Sequence, residues 1–589
     1  MGSLGIPSQE FTHPLISERA IDEPRPLKVI HVGAGASGIC AAIQFPRHVP
    51  NLELVIYEKN PDVGGTWFEN RSVTTSTICE VFRNVLTLWQ LSWTLDIPAH
   101  SYQLSYESKV TWSKFYASVP EILEYWKRVV EKHNVRRLMR FGHECVEARW
   151  DEEACKWHVK FKILATGHIT EDVADVFVTG IGVLNRWEWP DIKGLHQFEG
   201  KLLHSANWDP DYDPTGRRVA VIGAGSSGIQ IVPALQPLVK SMDHYIKGRT
   251  WIAASFANEL VRERNEGEDG NFDHDPKEIE AWKRDPRSYL AYRKALEVGM
   301  QGGFAITTRG SKEHEAAWAA FTKDMRRRLH KKSEVADRLV PDFPPLCKRL
   351  TPGPGYLEAL VADNVNVILD RISHVDATAI TTVDGTHRAV DAIITATGFN
   401  TSFRGGFPIY GRGGLRLQER NATRAETYLG VAVDRFPNFL HALGPNSGLG
   451  NGNLVLVIES VADYIGQVLE KLSKGNVKTI EPKRECVENF TNYCDAFFQR
   501  TVFSAECGSW YKSANGRVTA LWPGSSIHAA RALQKVRFED YVMTTADVND
   551  FGWIGDGWSV AERTGDVDGL SWYLNGTNFL HEPLKVDAD

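Results

Sequence analysis

Three glycines, Gly33, Gly35 and Gly38, close the apolar run "KVIHVGAGASG", and Gly223, Gly225 and Gly228 close "RVAVIGAGSSG" 190 residues later. In a strand, turn and helix unit, the first glycine permits a tight bend and the second lets the backbone approach a pyrophosphate. The third lets the helix pack on the strand, and the amides at the helix N-terminus face the phosphate oxygens. Ser37, Ser226 and Ser227 stand at those helix starts and are candidate contacts. A lone G-x-G-x-x-G is weak, so its context decides. Twenty residues beyond Gly38, "LELVIYEK" supplies Glu58, a carboxylate placed for the adenosine ribose hydroxyls. Near the matching place after the second turn stand Lys247 and Arg249. Cations there suit a 2′-phosphate, each charge-assisted hydrogen bond contributing ~1.5–3 kcal/mol. NADPH is therefore expected at the second turn rather than NADH. Two dinucleotides on one chain imply one tightly held flavin and one hydride donor, with the protein supplying orientation and electrostatics.

Short β-branched runs alternating with helical segments predict an α/β fold built on parallel sheets, with two doubly wound, Rossmann-like dinucleotide domains. The expected division is 25–205 for the first part of an FAD-binding domain and 206–375 for an NADP-binding domain. A helical insertion at about 260–340 belongs to the second, and 376–540 returns to the first as its second part. The tail, 541–589, has no usable periodicity. Within the insertion, the basic run Arg326, Arg327, Arg328, His330, Lys331 and Lys332 reads as a solvated helix face, with an anion site as the other reading.

The 589 residues allow two to four domains, and 67 basic against 74 acidic residues give a net charge of −7. That balance offers no electrostatic reason to expect nucleic acid or an anionic membrane, so a small-molecule partner is expected. Eight cysteines are scattered with no C-x-x-C pair and no zinc spacing, so no metal site and a reduced, cytoplasmic chain are expected. The apolar run "NLVLVIESVADYIG" is cut by Glu459 and Asp463, well short of the ~18–20 residues that span a bilayer.

The stretch "FEGKLLHSANWD" (198–209) fits, position by position, the F-x-G-x-x-x-H-x-x-x-W-(P/D) fingerprint of Baeyer-Villiger monooxygenases through Phe198, Gly200, His204, Trp208 and Asp209. The chain resembles that family from about residue 25 to 540. The resemblance implies FAD and NADPH as cofactors. It also implies insertion of one oxygen atom of O2 beside a ketone carbonyl, and a fingerprint that links the two domains, with His204 as a conformational joint. "GGTWFENR" resembles the flavin-contacting segment, placing Gly65, Thr66 and Trp67 near the ring system, and "DIPAHSY" its continuation through Asp96 and Tyr102. "CKRLTPGPGYLEAL" maps the family's Lys-Arg pair to Lys348 and Arg349, and "GSWYK" its mobile loop, with Trp510 folding over NADP. "LGPNSGLGNG" (443–452) resembles its flavin-side loop. The physical case for Arg349 stands beside the analogy. A guanidinium keeps its charge at any working pH and can stabilise negative charge on the attacking and carbonyl oxygens, with Asp96 orienting it. General likeness to fungal members points to a bulky polyketide or terpenoid ketone.

Two departures qualify the resemblance. Residues 72–95 stand between Arg71 and Asp96 where the family has six residues, and its Tyr-Pro-Gly is missing. Matching flanks on each side suggest a misjudged splice; a transcript encoding 72–95 would remove that reading. The family's first ATG is replaced by Gly180, Ile181 and Gly182, while "ILATGH" upstream reads as a coincidental match in a connecting turn. An N- or S-hydroxylating flavin monooxygenase, and a nucleotide-binding protein inactivated by the insertion, remain open alternatives at this point.

Overall fold

The computed structural model describes residue 13 and residues 15–575, apart from 70–94, 96, 210, 254–255, 268–269 and 404. Asp96 and nearly all of the 72–95 insertion therefore lie outside the described residues. Two five-stranded parallel sheets organise the chain. In the first, β1 (Lys28–Val32) lies between β2 (Glu53–Tyr57) and β7 (Val176–Thr179), with β3 (Met139–Arg140) and β19 (Phe439–His441) at the edges. In the second, β9 (Arg218–Ile222) lies between β10 (Ser241–Tyr245) and β17 (Ala392–Thr395), flanked by β13 (Val365–Ile368) and β8 (Lys201–His204). Strands covered on both faces read as continuous apolar runs rather than alternating ones. "VIHV" of β1 and "VAVI" of β9 are accordingly buried throughout.

Helix α1 (Ala36–His48) follows β1 and packs lengthwise on the helix Leu454–Lys474, closing a core that includes Ile39, Ile43, Phe45, Val461, Ile465 and Leu469. Each such side chain, fully buried, contributes about 1.5–3 kcal/mol. An antiparallel layer of β4 (His143–Asp151), β5 (Lys156–Ile163) and β6 (Ile169–Ala174) covers part of the first sheet. "ILATGH" spans the end of β5 and the tip of its hairpin with β6, a connecting turn as expected.

Strands β8 and β17 are hydrogen-bonded into the second sheet. Residues 201–204 and 392–395, which fall in the ranges 25–205 and 376–540 expected for the first domain, thus belong to the sheet of the second glycine turn. An isolated β-run carries no mark of which sheet will take it, so this membership was not readable from the sequence.

The insertion is helical: Asn258–Arg264, Pro276–Arg284, Pro286–Gln301, Lys312–Arg328 and Ser333–Leu339. Its basic run is engaged in structure. Arg326 pairs with Asp337, Arg327 with Asp324 and Arg328 with Glu358, while Lys332 Nζ donates to the carbonyls of Leu360, Ala362 and Val365. Tyr541–Thr545 of the tail adds a strand antiparallel to Val477–Pro482.

The reduced state expected for the cysteines is corrected in one place: Cys347 and Cys507 form a disulfide across 160 residues. Spacing alone could not reveal a pair that only the fold brings together. No helix among the described residues is long and apolar enough to cross a membrane.

Candidate functional site

Both glycine turns open helices that no side chain caps. Helix α1 begins after Gly35 and α4 (Ser226–Leu235) after Gly225, and neither N-cap makes a side-chain hydrogen bond. Elsewhere Asp275, Asp285, Ser311 and Asn453 each accept from a first-turn amide of their own helix. The leading amides of α1 and α4 have no partner within the helix and so keep their donors for an outside acceptor, as a pyrophosphate would be. Gly33 has φ +105°, and a Cβ on it would lie 2.4 Å from the Gly180 carbonyl oxygen; one on Gly38 would lie 2.1 Å from that of Gly33. Gly35 faces Gly65, whose Cα would be 3.4 Å from an added Cβ, so the two predicted residues border one gap with room only for backbone and ligand. Gly223 and Gly228 repeat the pattern, with φ +113° at Gly223 and Ala396 in the place of Gly180, while a Cβ on Gly225 would meet nothing within 4 Å.

Glu58 stands at the end of β2, 5% exposed. One carboxylate oxygen accepts from Ala34 N at 2.7 Å, the other from Asn60 N and Nδ2 at 2.9 and 2.8 Å. Burial raises its pKa against the pull of those amides. The carboxylate therefore ties the first turn to β2 and keeps lone pairs for further donors.

At the second turn, Lys247 is exposed at the end of β10, and Arg249 donates to the Val340 carbonyl and pairs with Asp342 at 3.3 Å. Lys348 Nζ donates to the Arg249 carbonyl at 2.8 Å, which brings the predicted Lys348 to the predicted cations. Burial lowers the pKa of Lys348; burial, and then the charge of Lys348, lower that of Lys512. Lys512 was missed in the sequence, its only signal being the lysine that ends "GSWYK". Ser226 Oγ shares a hydrogen bond of 2.7 Å with Thr351 Oγ1, tying the start of α4 to the segment that carries Arg349.

The fingerprint residues lie on and beside β8 at the edge of the second sheet, with Phe198 and Trp208 packed into separate apolar clusters. An added Cβ on Gly200 would meet the Phe198 ring at 2.5 Å and the Asp391 carbonyl oxygen at 2.7 Å, which explains their spacing. His204 ends β8, fully buried. Its ring stacks on Trp187 with centroids 4.5 Å apart and meets Trp189 edge-on at 5.9 Å. Ala206 N donates to His204 Nδ1, which leaves the proton of the neutral ring on Nε2, and burial pushes its pKa down to about 4. A ring held neutral and enclosed by indoles is suited to positioning rather than proton transfer. Trp187 in turn bridges to Phe399, just beyond β17. Trp187 and Trp189 were not picked out in the sequence, although "WEW" immediately ahead of the fingerprint was the available signal. Trp208 is buried, and Asp209 pairs with Lys201.

Trp67 Nε1 donates to Tyr102 Oη at 3.0 Å with the rings edge to face, so two residues 35 apart in sequence meet. Thr66 begins the short helix Thr66–Glu69. Arg349 is exposed. Leu346, three residues before it, packs in one apolar cluster with Trp510 and Tyr511 of the loop beyond Cys507.

The replaced ATG has a physical reason. A methyl on Gly180 would lie 2.4 Å from His31 Cε1, and His31 is fully buried, its pKa pushed down to about 4 by burial. At the matching places of the second sheet stand Val221 and Ala396: a large ring opposite glycine in one sheet, a valine opposite alanine in the other. Gly180→Ala should therefore destabilise the fold by about 1–3 kcal/mol through overpacking. Adding His31→Val should recover most of that loss, because the two residues share one volume. Thermal midpoints of the single and double variants check this.

The sequence model of the flavin-binding monooxygenase-like family matches residues 27–259. The FAD-binding monooxygenase tazF of Aspergillus terreus is 35% identical over 94% of this chain and 95% of its own. A Baeyer-Villiger monooxygenase of Pseudomonas aeruginosa is 32% identical over 88% of this chain and 92% of its own. Among solved structures, cyclohexanone monooxygenase from Rhodococcus sp. Phi1 bound to NADP+ superimposes with a TM-score of 0.73 at 25% identity, covering 89% of this chain and 100% of that one.

Proposed function

Because this chain belongs to the flavin-binding monooxygenase family, we propose that it is an FAD- and NADPH-dependent Baeyer-Villiger monooxygenase that inserts one oxygen atom of O2 beside a ketone carbonyl to give an ester or lactone. The observation that carries this reading is the joint. His204 and its two indoles lie on the chain segment that leads from the last residues of β7 in the first sheet to β8 in the second, and the glycine turns of both sheets present uncapped helix amides. Such an arrangement suits a reaction in which two nucleotides must be aligned and realigned.

The first sheet, with Gly33, Gly35, Ser37, Gly38 and Glu58, would hold FAD; Gly65, Thr66, Trp67, Asp96 and Tyr102 would border its ring system. The second sheet would hold NADPH through Gly223, Gly225, Ser226, Ser227 and Gly228. Lys247, Arg249 and Lys348 would meet the 2′-phosphate, and Trp510 would close over the coenzyme. When bound, the flavin accepts hydride from NADPH and activates O2. The chain then has to hold a ketone beside it, exclude water and stabilise negative charge, the last being the work assigned to Arg349. A bulky polyketide or terpenoid ketone as substrate, and a cytoplasmic location, complete the proposal.

Anaerobic NADPH added to the FAD-loaded protein should bleach the flavin absorbance. In air, a ketone panel should then yield products heavier by one oxygen and cleaved by an esterase. Oxygenation of a thioether or amine but of no ketone would instead identify a heteroatom hydroxylase. A colourless protein that takes up no FAD would identify an inactive nucleotide-binding chain.

A further inference from the structure

The Cys347–Cys507 disulfide joins two segments that the proposed reaction needs side by side. Cys347 directly precedes Lys348 and Arg349; Cys507 directly precedes Gly508 and the loop that carries Trp510 and Lys512. The join has a built environment. Cys347 is fully buried and Cys507 half-buried. Lys512 Nζ lies 3.6 Å from the Cys347 sulfur and 3.4 Å from that of Cys507, and also donates to the Ala505 carbonyl. Leu346, Trp510 and Tyr511 pack together next to the bridge. Lys348, on the other side, is fixed to the Arg249 carbonyl.

We propose that this disulfide is the positioning cross-link of the coenzyme site, making the Lys348–Arg349 segment and the Trp510–Lys512 loop one unit, so that NADP+ is held tightly while the bridge is oxidised and loosely once it is reduced. The proposal rests on the reading of the second turn as the NADPH site. Without the bridge, the loop must be brought to the coenzyme at each binding event, and its ordering opposes binding.

The chemistry closes with a dithiol as reductant. Its thiolate attacks the more accessible sulfur, that of Cys507, forming a mixed disulfide and expelling Cys347 as a thiolate. The second thiol of the reductant then displaces Cys507. Two electrons pass to the protein, both cysteines end as thiols after protonation, and the reductant leaves as its disulfide. The Lys512 ammonium stands beside the leaving sulfur and lowers the barrier to its departure as an anion.

The test uses the FAD-loaded full chain. NADP+ affinity is measured anaerobically before and after dithiothreitol treatment, with flavin content followed in parallel, and cysteine alkylation mapped by mass spectrometry. Reduction should raise the NADP+ dissociation constant about tenfold, leave FAD bound and be reversed by reoxidation. The variant Cys507→Ser should show the weaker affinity from the outset and no response to dithiothreitol. Flavin retention separates this from general unfolding. Alkylation of both cysteines in the unreduced protein, or an NADP+ affinity unmoved by reduction, would overturn the proposal. An oxidised protein that keeps FAD but binds no NADP+ would overturn the reading of the second turn itself, and the proposal with it.

Discussion

Arg349→Ala is expected to lower ester formation by about 10²–10³-fold, the usual cost of removing one preorganised electrostatic donor, while NADPH still bleaches the flavin at close to the parental rate. The asymmetry follows from where charge develops. Hydride transfer between two bound cofactors needs their alignment, which the two turns and the His204 joint would supply. Oxygen insertion builds negative charge on oxygen atoms, and a permanently charged guanidinium meets that need without a proton. Arg349→Lys should recover only part of the loss, because an ammonium keeps the charge but not the planar fork. Anaerobic stopped-flow absorbance and product analysis read the two half-reactions separately. An alanine variant that forms ester at the parental rate would remove Arg349 from the chemistry. One that neither bleaches nor forms ester would point to a wider role in the coenzyme site, which the bond from neighbouring Lys348 to Arg249 makes the natural place to look.

What could be read from the sequence was local. Each glycine turn completes strand, bend and helix start within eleven residues, so residue types alone carried the geometry. The fingerprint was legible through its resemblance to the family's pattern, and the structure adds a local reason for part of its spacing, the clash of a Gly200 Cβ with Phe198. What stayed hidden needed the fold. Cys347 meets Cys507 across 160 residues, and His31 fills the space left by Gly180 across neighbouring strands. The first of these turned an expected reduced chain into a cross-linked one; the second explained a departure from the family pattern that had no evident reason. The basic run at 326–332 shows the middle case. Its helical placement was clear from composition, but the burial of the Lys332 amine against three carbonyls depends on a turn 28 to 33 residues away.

Gly33→Ala and Gly223→Ala should fail in different ways, and the difference tests which turn serves which cofactor. At Gly33 the added methyl would lie 2.4 Å from the Gly180 carbonyl oxygen and 2.9 Å from its carbon. Both are backbone atoms just beyond the paired strands β1 and β7, so relief requires parting the sheet. The backbone also has φ +105°, a conformation that L side chains rarely adopt. The turn should therefore move away from the geometry that presents the α1 amides, and the protein should purify without yellow colour. Gly223 has φ +113° and the same 2.4 Å approach, here to the Ala396 carbonyl oxygen of β17's end. Gly223→Ala should leave the first sheet alone, so the variant should be yellow, yet NADPH should bleach it at least 100-fold more slowly, the loss of two hydrogen bonds to phosphate at about 1.5 kcal/mol each. A colourless Gly223→Ala protein together with a yellow Gly33→Ala one would reverse the assignment of the two turns. Neither clash can be relieved by trimming a neighbouring side chain, because the obstructing atoms are main chain. That sets these two variants apart from Gly180→Ala, whose obstacle is the His31 ring and whose rescue by valine is expected.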